Sequence, residues 1–301
     1  MPFSPPQGKL LPRMRFLLTA VMIAVKVTFG PLAAQNQGPN WAQNLRHVPR
    51  FLGPNALPVG EAMDARPDTA AWLRVLGQYH RHPGDETVNL RTTLHLPLFS
   101  ERVSLRLHMV PYERFWLEPA TIGQRRLKDT SRRGEAVGDL NVASLITLWE
   151  ETHWRPAIQL MINLRTASGG NLEQARFIDA PGYTFRVNAG KTFPVISPGL
   201  ESLRLYLNAG LRVWQTRHPR LFQNDALVHA TGLEWKGKNW ALRTELAGYV
   251  GYFERGDKPV VLRLSGHYHL NSRLQLTAQW QEGNIDYPFR SASAGLLYRF
   301  L

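Results

Sequence analysis

The sequence predicts an all-β fold, a transmembrane up-and-down antiparallel β-barrel of about 12 strands. Three observations predict it. Long segments alternate apolar and polar residues one by one. The connections between them alternate between short and long. No apolar run of about 18 residues, the length a membrane helix needs, occurs after the N-terminus.

The alternation is clearest from Glu201 to Trp214. Leu203, Leu205, Leu207, Ala209, Leu211 and Val213 share one parity, and Arg204, Tyr206, Asn208, Gly210, Arg212 and Trp214 share the other. Successive side chains of a strand point to opposite faces, so this segment has an aliphatic face and a polar, basic one. Its length suits a strand crossing a bilayer at a tilt, which takes about 9–11 residues. The pattern recurs. Val88, Leu90, Thr92, Leu94 and Leu96 oppose Thr87, Asn89, Arg91, Thr93 and His95, and Ile158, Leu160, Ile162 and Leu164 oppose Arg155, Gln159, Asn163 and Arg165.

Composition sets bounds. The chain has 301 residues, enough for one large barrel, and 44% are hydrophobic, a value that alternation permits in a membrane barrel. No cysteine is present, which removes disulfides and thiolate metal sites. Net charge is +13, but arginines alternating with aliphatics are the wrong pattern for a nucleic-acid surface, and no nucleic-acid partner is expected. No phosphate-binding or dinucleotide fingerprint occurs, and no cofactor is expected.

In chain order, Lys9, Arg13 and Arg15 precede the apolar stretch 16–25, and Leu32-Ala33-Ala34 follows, the order of a secretory signal with cleavage after Ala34. Residues 35–71 are rich in Pro, Gly and Asn and lack periodicity, so they read as an irregular periplasmic or plug-like segment. The barrel proper is expected over 72–301. Its strand-like segments run approximately 72–81, 86–96, 102–112, 138–149, 154–167, 182–193, 203–214, 226–236, 240–253, 259–270, 274–281 and 290–301, with 138–149 and 226–236 alternating poorly. Connections after even-numbered segments are short, and those after odd ones are often longer, with 113–137 and 168–181 the largest. Short inner turns and long outer loops are the rule in outer-membrane barrels of Gram-negative bacteria. Eight tryptophans, from Trp72 to Trp280, fall near segment ends and are read as interfacial girdles.

Two stretches carry a resemblance. Gly138-Asp139-Leu140, through Pro156-Ala157-Ile158, to Leu164-Arg165-Thr166-Ala167-Ser168-Gly169 resembles the Gly-Asp-Leu opening, Pro-started strand and Lys-Leu-Pro-Thr-Gly-like ending of the putative meta-pathway phenol-degradation outer-membrane family, over residues 137–193. The proline of that ending is missing here. The C-terminal Tyr298-Arg299-Phe300-Leu301 similarly resembles the aromatic-ended closing strand of such barrels. The resemblance implies a barrel in the cell outer membrane engaged in passage of small molecules, and it brings no catalytic residues.

With aliphatics facing lipid, the opposite parity faces a lumen. Its expected lining is Arg91, His95, Arg106, His108, Arg155, Arg165, Arg186, Arg204, Arg212, Arg243, Glu245, Arg263, His267 and His269. Fixed positive charge inside a low-dielectric wall favours anions, so the expected partners are small anionic solutes. Glu113, Glu234, Glu245 and Glu282 are candidate partners that would instead make a blocked, structural interior. His267-Tyr268-His269 offers two imidazoles on one face with no third metal ligand, and no metal is expected. The rival class is a lipid-modifying hydrolase, for which His229-Ala230-Thr231 is the nearest approach to a nucleophile–base pair. The basic outer connection with Arg125, Arg126, Lys128, Arg132 and Arg133 is expected to face lipopolysaccharide phosphates. The purified chain should stay folded only in detergent or lipid, and a chain monodisperse and folded in plain buffer by light scattering and circular dichroism would exclude the barrel.

Overall fold

The computed structural model describes residues 45–98, 101–216, 221–253 and 256–300, so the expected signal segment lies outside the described residues. The strands are β1 (Trp72–His82), β2 (Asp85–Pro97), β3 (Val103–Leu117), β4 (Arg133–Ala136), β5 (Asn141–Trp149), β6 (Ala157–Arg165) and β7 (Gly182–Ser197). They continue with β8 (Leu200–Gln215), β9 (Gln223–Lys236), β10 (Trp240–Val250), β11 (Val260–His269), β12 (Leu274–Ile285) and β13 (Arg290–Arg299), and one short helix, α1 (Pro119–Arg125), follows β3. Each wall strand pairs antiparallel with its neighbours in sequence, and β1 also pairs with β13. The result is a closed barrel of 12 strands, with β4 as one extra strand laid along the upper part of β3.

Alternation decides which way each residue looks. On β8, Leu205, Leu207 and Leu211 are 40–53% exposed, while Arg204, Tyr206 and Asn208 on the other parity are buried. Leu227 on β9 and Leu262 on β11 are exposed likewise. An outer surface of leucine over a polar interior is the inverse of a water-soluble protein, and hydrocarbon is the solvent that suits it. Closure leaves no unpaired edge among the wall strands, which the same solvent requires. Exposed aromatics band the two ends. Tyr79, Tyr112, Trp116, Tyr183 and Tyr252 lie toward the long connections, and Trp149, Trp154, Trp240, Tyr268 and Tyr298 toward the short ones. Trp72 and Trp214 do not belong to a girdle: both are buried on the inner parity, Trp72 stacked on His95 with ring centroids 5.1 Å apart. Trp280 is exposed at mid-strand.

Strand boundaries differ from expectation where local chemistry overrides periodicity. β3 does not stop at Tyr112. A register shift opposite Leu90/Thr92 carries it past Pro111, after which Glu113, Phe115 and Leu117 take the inner face that Arg106 and His108 hold below. Proline lacks the donor a regular ladder needs and sits at a bulge, where one extra residue flips the parity. Poor alternation in β9 also has a cause. Ala226, Val228, Ala230 and Gly232 point inward and are small because large groups from elsewhere fill the space. A Cβ on Gly232 would collide with the Tyr206 ring.

Those large groups include a strap. Residues 45–71 run down the inside of the barrel from the end with the long connections to the end with the short turns. Near the first end, Arg50 pairs with Asp286 and the His47 ring meets Phe253 edge-on at 6.1 Å. Near the second, Asp68 accepts a hydrogen bond from Trp72 Nε1 at 2.5 Å, and its carbonyl meets His95 Nε2 at 3.0 Å. The described chain therefore starts at the outer end and reaches β1 at the inner end.

The direction of this thread can be tested with cysteines, since the chain has none of its own. Arg50→Cys, at a side chain 54% exposed, should react with a membrane-impermeant maleimide on intact cells, and Asn271→Cys in the β11–β12 turn should react only after permeabilisation. The reverse pattern would invert the strap and the barrel together.

Candidate functional site

The inner wall meets the strap rung by rung. Arg165 Nη1 donates to the carbonyl of Ala56 at 3.0 Å, and Arg212 Nη1 to that of Pro58 at 2.9 Å. Arg263 reaches the carbonyls of Val59 and Gly60, the second at 3.1 Å, and Arg186 reaches that of Glu61 at 2.9 Å. Below them Asn208 brackets Met63, accepting from its N–H and donating to its carbonyl, both at 2.7 Å. Arg204 donates twice to the carbonyl of Asp64, at 2.9 and 2.7 Å. Seven residues between Ala56 and Asp64 are thus read through their backbone, and the extended run 58–64 matches strand spacing of about 3.3 Å per residue. Gly190 makes room at the lowest of these levels, because a Cβ there would strike the Asp64 carbonyl and the Arg204 guanidinium.

The strap also carries charge. Glu61 pairs with Arg91 at 2.6 Å and Arg74 at 3.2 Å. Asp64 pairs with Arg243 at 2.8 Å, and Arg66 with Glu234 at 2.5 Å. Wall acids take part: Glu245 holds Arg263 at 2.6 Å and Glu234 holds Arg243 at 2.5 Å. Glu282, the remaining acid considered as a partner, pairs instead with Arg290. At the inner rim Glu151 lies in the β5–β6 connection. Its partial burial would raise its pKa, but the Thr192 N–H at 2.6 Å and the Arg204 guanidinium hold it below the ordinary glutamate value.

Of the residues expected on the inner face, Arg91, His95, Arg106, His108, Arg165, Arg186, Arg204, Arg212, Arg243, Glu245, Arg263 and His267 are placed there. His267 Nδ1 faces Thr277 Oγ1 at 3.2 Å and Gln275 Nε2 at 3.0 Å, and His269 sits at the turn end of β11. Arg155 is a correction. Pro156 holds the chain out of the ladder, β6 starts at Ala157, and Arg155 is exposed in the connection. Arg125 is a second correction. It closes α1 with its side chain only 2% exposed, on Asp85 at 2.6 Å, and faces no surface phosphate. Arg126, Lys128, Arg132 and Arg133 are exposed, Lys128 beside Glu173 at 2.6 Å. Residues that sequence reasoning missed are Glu61, Asp64, Arg66, Arg74 and Arg176.

Arg176 organises the outer end. It is fully buried, with Asp85 at 2.9 Å, Glu113 at 2.7 Å and the Thr87 hydroxyl at 2.7 Å, and it lies over the Phe115 ring at 4.5 Å. Around it pack Leu52, Leu57, Phe115, Leu117, Ile122 and Phe177, from the strap, β3, α1 and the β6–β7 connection. The outer half of the lumen is thereby a packed core, and the inner half is polar. The family-like Gly138-Asp139-Leu140 works here as a staple. Asp139 accepts from the N–H groups of Ser168 and Gly169 at 3.2 and 2.7 Å and faces Arg165 at 3.4 Å, tying together the two chain segments that flank the β5–β6 hairpin. Burial raises the pKa of Asp139.

Beneath the packed half, a cavity of ≈ 260 Å³ borders the strap at Gly60–Ala62 and the wall at Arg74, Arg91, Arg106, His108 and Arg186.

Known proteins share this architecture. The COG4313 outer membrane channel from Pseudomonas putida F1 superposes with a TM-score of 0.59 at 8% identity, covering 81% of this chain and all, 100%, of that one. A NanC porin superposes at 0.50 with 9% identity, covering 76% of this chain and 100% of the porin. At such identities the likeness is one of fold: this is the barrel of outer-membrane channels and porins. No protein-family model matches the chain, and no curated protein matches it.

Arg176→Ala should destabilise the barrel by about 3–5 kcal/mol, because it strands two buried carboxylates. Denaturant unfolding in detergent micelles checks this, and exposed Arg273→Ala should leave the midpoint unchanged. An unchanged midpoint in the Arg176 variant would refute its organising role.

Proposed function

We propose that this protein is an outer-membrane channel for small anionic solutes, described here with its strap seated in the lumen. One observation carries the reading: Arg165, Arg186, Arg204, Arg212 and Arg263 all donate to neutral backbone carbonyls of the strap, and of these Arg186 and Arg212 have no carboxylate ion-pair partner among the described residues. A carbonyl completes a hydrogen bond and cancels no charge, so the polar half of the lumen stays positive and draws anions. Export through the N-terminal signal and residence in the outer membrane belong to the same reading, supported by the barrel's apolar outer face and by the fold it shares with outer-membrane channels. Exposed Arg126, Arg132 and Arg133 are the groups we assign to lipopolysaccharide phosphates at the outer surface.

Passage needs the strap and the packed outer half to give way. Where they never do, the barrel is a non-conducting structural one, a reading favoured by the apolar packing around Arg176. The hydrolase reading loses its site: His229 and Thr231 lie on the exposed, lipid-facing parity of β9.

Planar-bilayer recording separates the two remaining readings. The native chain should show low, intermittent conductance with a reversal potential on the anion side. The double variant Glu61→Ala/Asp64→Ala removes the strap's carboxylates from Arg91, Arg74 and Arg243, and it should raise open time by about tenfold or more while deepening anion preference. Silence in both chains, or cation preference in either, would end the channel proposal.

A further inference from the structure

The cavity beside Glu61 holds more cation than the protein neutralises. Arg74, Arg91, Arg106 and Arg186 border it together. Glu61 pairs with the first two. Arg186 has the Glu61 carbonyl at 2.9 Å and the Met161 sulfur at 3.6 Å, neither of them charged. Arg106 has no carboxylate partner among the described residues and leans on the Trp72 ring at 5.3 Å. The Nε atoms of all four are buried and have no hydrogen-bond partner among the described residues. An arginine cannot shed its proton to escape burial, so an uncompensated guanidinium cluster in a low-dielectric interior calls for an anion. The unpartnered donor is in each case Nε, one tine of the Nε–Nη fork that grips two oxygens of one carboxylate or phosphate.

We propose that this cavity is a binding site for a small oxyanion, a carboxylate or phosphate in chemistry, gripped by Arg106 and Arg186 and contested by Glu61. The site rests on the reading of the lumen as an anion path. Glu61 acts as a tethered competitor: its carboxylate lies on Arg91 and Arg74, which a soluble anion of the same chemistry would otherwise share. The cavity volume of ≈ 260 Å³ admits inorganic phosphate or a short dicarboxylate and leaves no room for a long chain while the strap is seated. The strap is then part of the site, since Gly60, Glu61 and Ala62 form one of its walls.

Isothermal titration of the full-length chain in detergent, at fixed chloride, tests this with sodium phosphate in one series and sodium succinate in another. One or both should bind saturably at one site per chain, and the better ligand names the oxyanion. Arg106→Gln and Arg186→Gln should each weaken binding by about tenfold or more, the scale of one charge-assisted contact. Glu61→Gln should tighten it by a similar factor, while Arg273→Gln, at an exposed turn, should change nothing. The opposite sign for Glu61 is a readout that misfolding does not mimic, and it decides the matter if an arginine variant fails to assemble. Absence of saturable binding to both probes, full affinity in the Arg106 and Arg186 variants, or weaker binding in Glu61→Gln would overturn the site. Absent binding alongside anion-selective conductance refutes the site and spares the channel. Saturable binding in a chain that never conducts keeps the site and removes the channel.

Discussion

Arginine cannot be neutralised by giving up its proton, and a closed barrel cannot turn its inner face to bulk water on every side. The rest of the structure follows from that constraint. A wall that presents Arg165, Arg186, Arg204, Arg212 and Arg263 inward must supply acceptors for their donors or leave them unmade at about 1–3 kcal/mol or more apiece, higher for a charged group. Wall acids are too few: Glu234 and Glu245 serve Arg243 and Arg263. An extended peptide solves the problem generally, because it brings one carbonyl per residue at strand spacing and has no fixed partner of its own inside the lumen.

The two halves of the lumen meet this demand differently. In the outer half, Arg176 is saturated by Asp85, Glu113 and Thr87 and surrounded by leucine and phenylalanine, so charge is paired at close range and sealed from water. Such an arrangement is rigid, since moving any member leaves another charge buried alone. In the inner half, contacts run mostly from side chain to backbone, and a cavity separates part of the wall from the strap. The first half fixes the strap's entry. The second is where small charged groups have room.

Much of the wall was legible in the sequence because hydrocarbon enforces period two on every crossing strand. β8 shows this plainly, with Leu205 and Leu207 outside and Arg204 and Tyr206 inside. The pattern blurred where one face needed neither hydrocarbon nor charge, as in β9, where Gly232 makes room for Tyr206 of the neighbouring strand β8. It misled at Pro111, where a bulge flips parity, and at Arg155, where a proline delays the strand. The strap was the least legible part. Its role depends on backbone carbonyls, which every residue has, so only Glu61 and Asp64 could have marked it, and neither sits in a periodic run. In the basic connection after β3 the charges look alike in sequence, yet Arg125 alone among the five is buried, because it closes α1 over Asp85.

A lumen that is filled is usually read as a lumen without selectivity. Here the filling leaves much of the wall's positive charge in place, which is what the proposed selectivity requires. Hydrogen bonds to neutral carbonyls satisfy the geometry of a guanidinium and leave its field intact, whereas a carboxylate removes both needs at once. The strap contributes carboxylates at Glu61 and Asp64 and returns a cation at Arg66, so seating it lowers the wall's charge only in part. Arg106 and Arg186, beside the cavity, have no ion-pair partner among the described residues, so the charge left over falls there. A seated strap and the proposed preference for anions are therefore compatible through one choice of acceptor, since a backbone carbonyl, unlike an acid, satisfies a guanidinium without cancelling its charge.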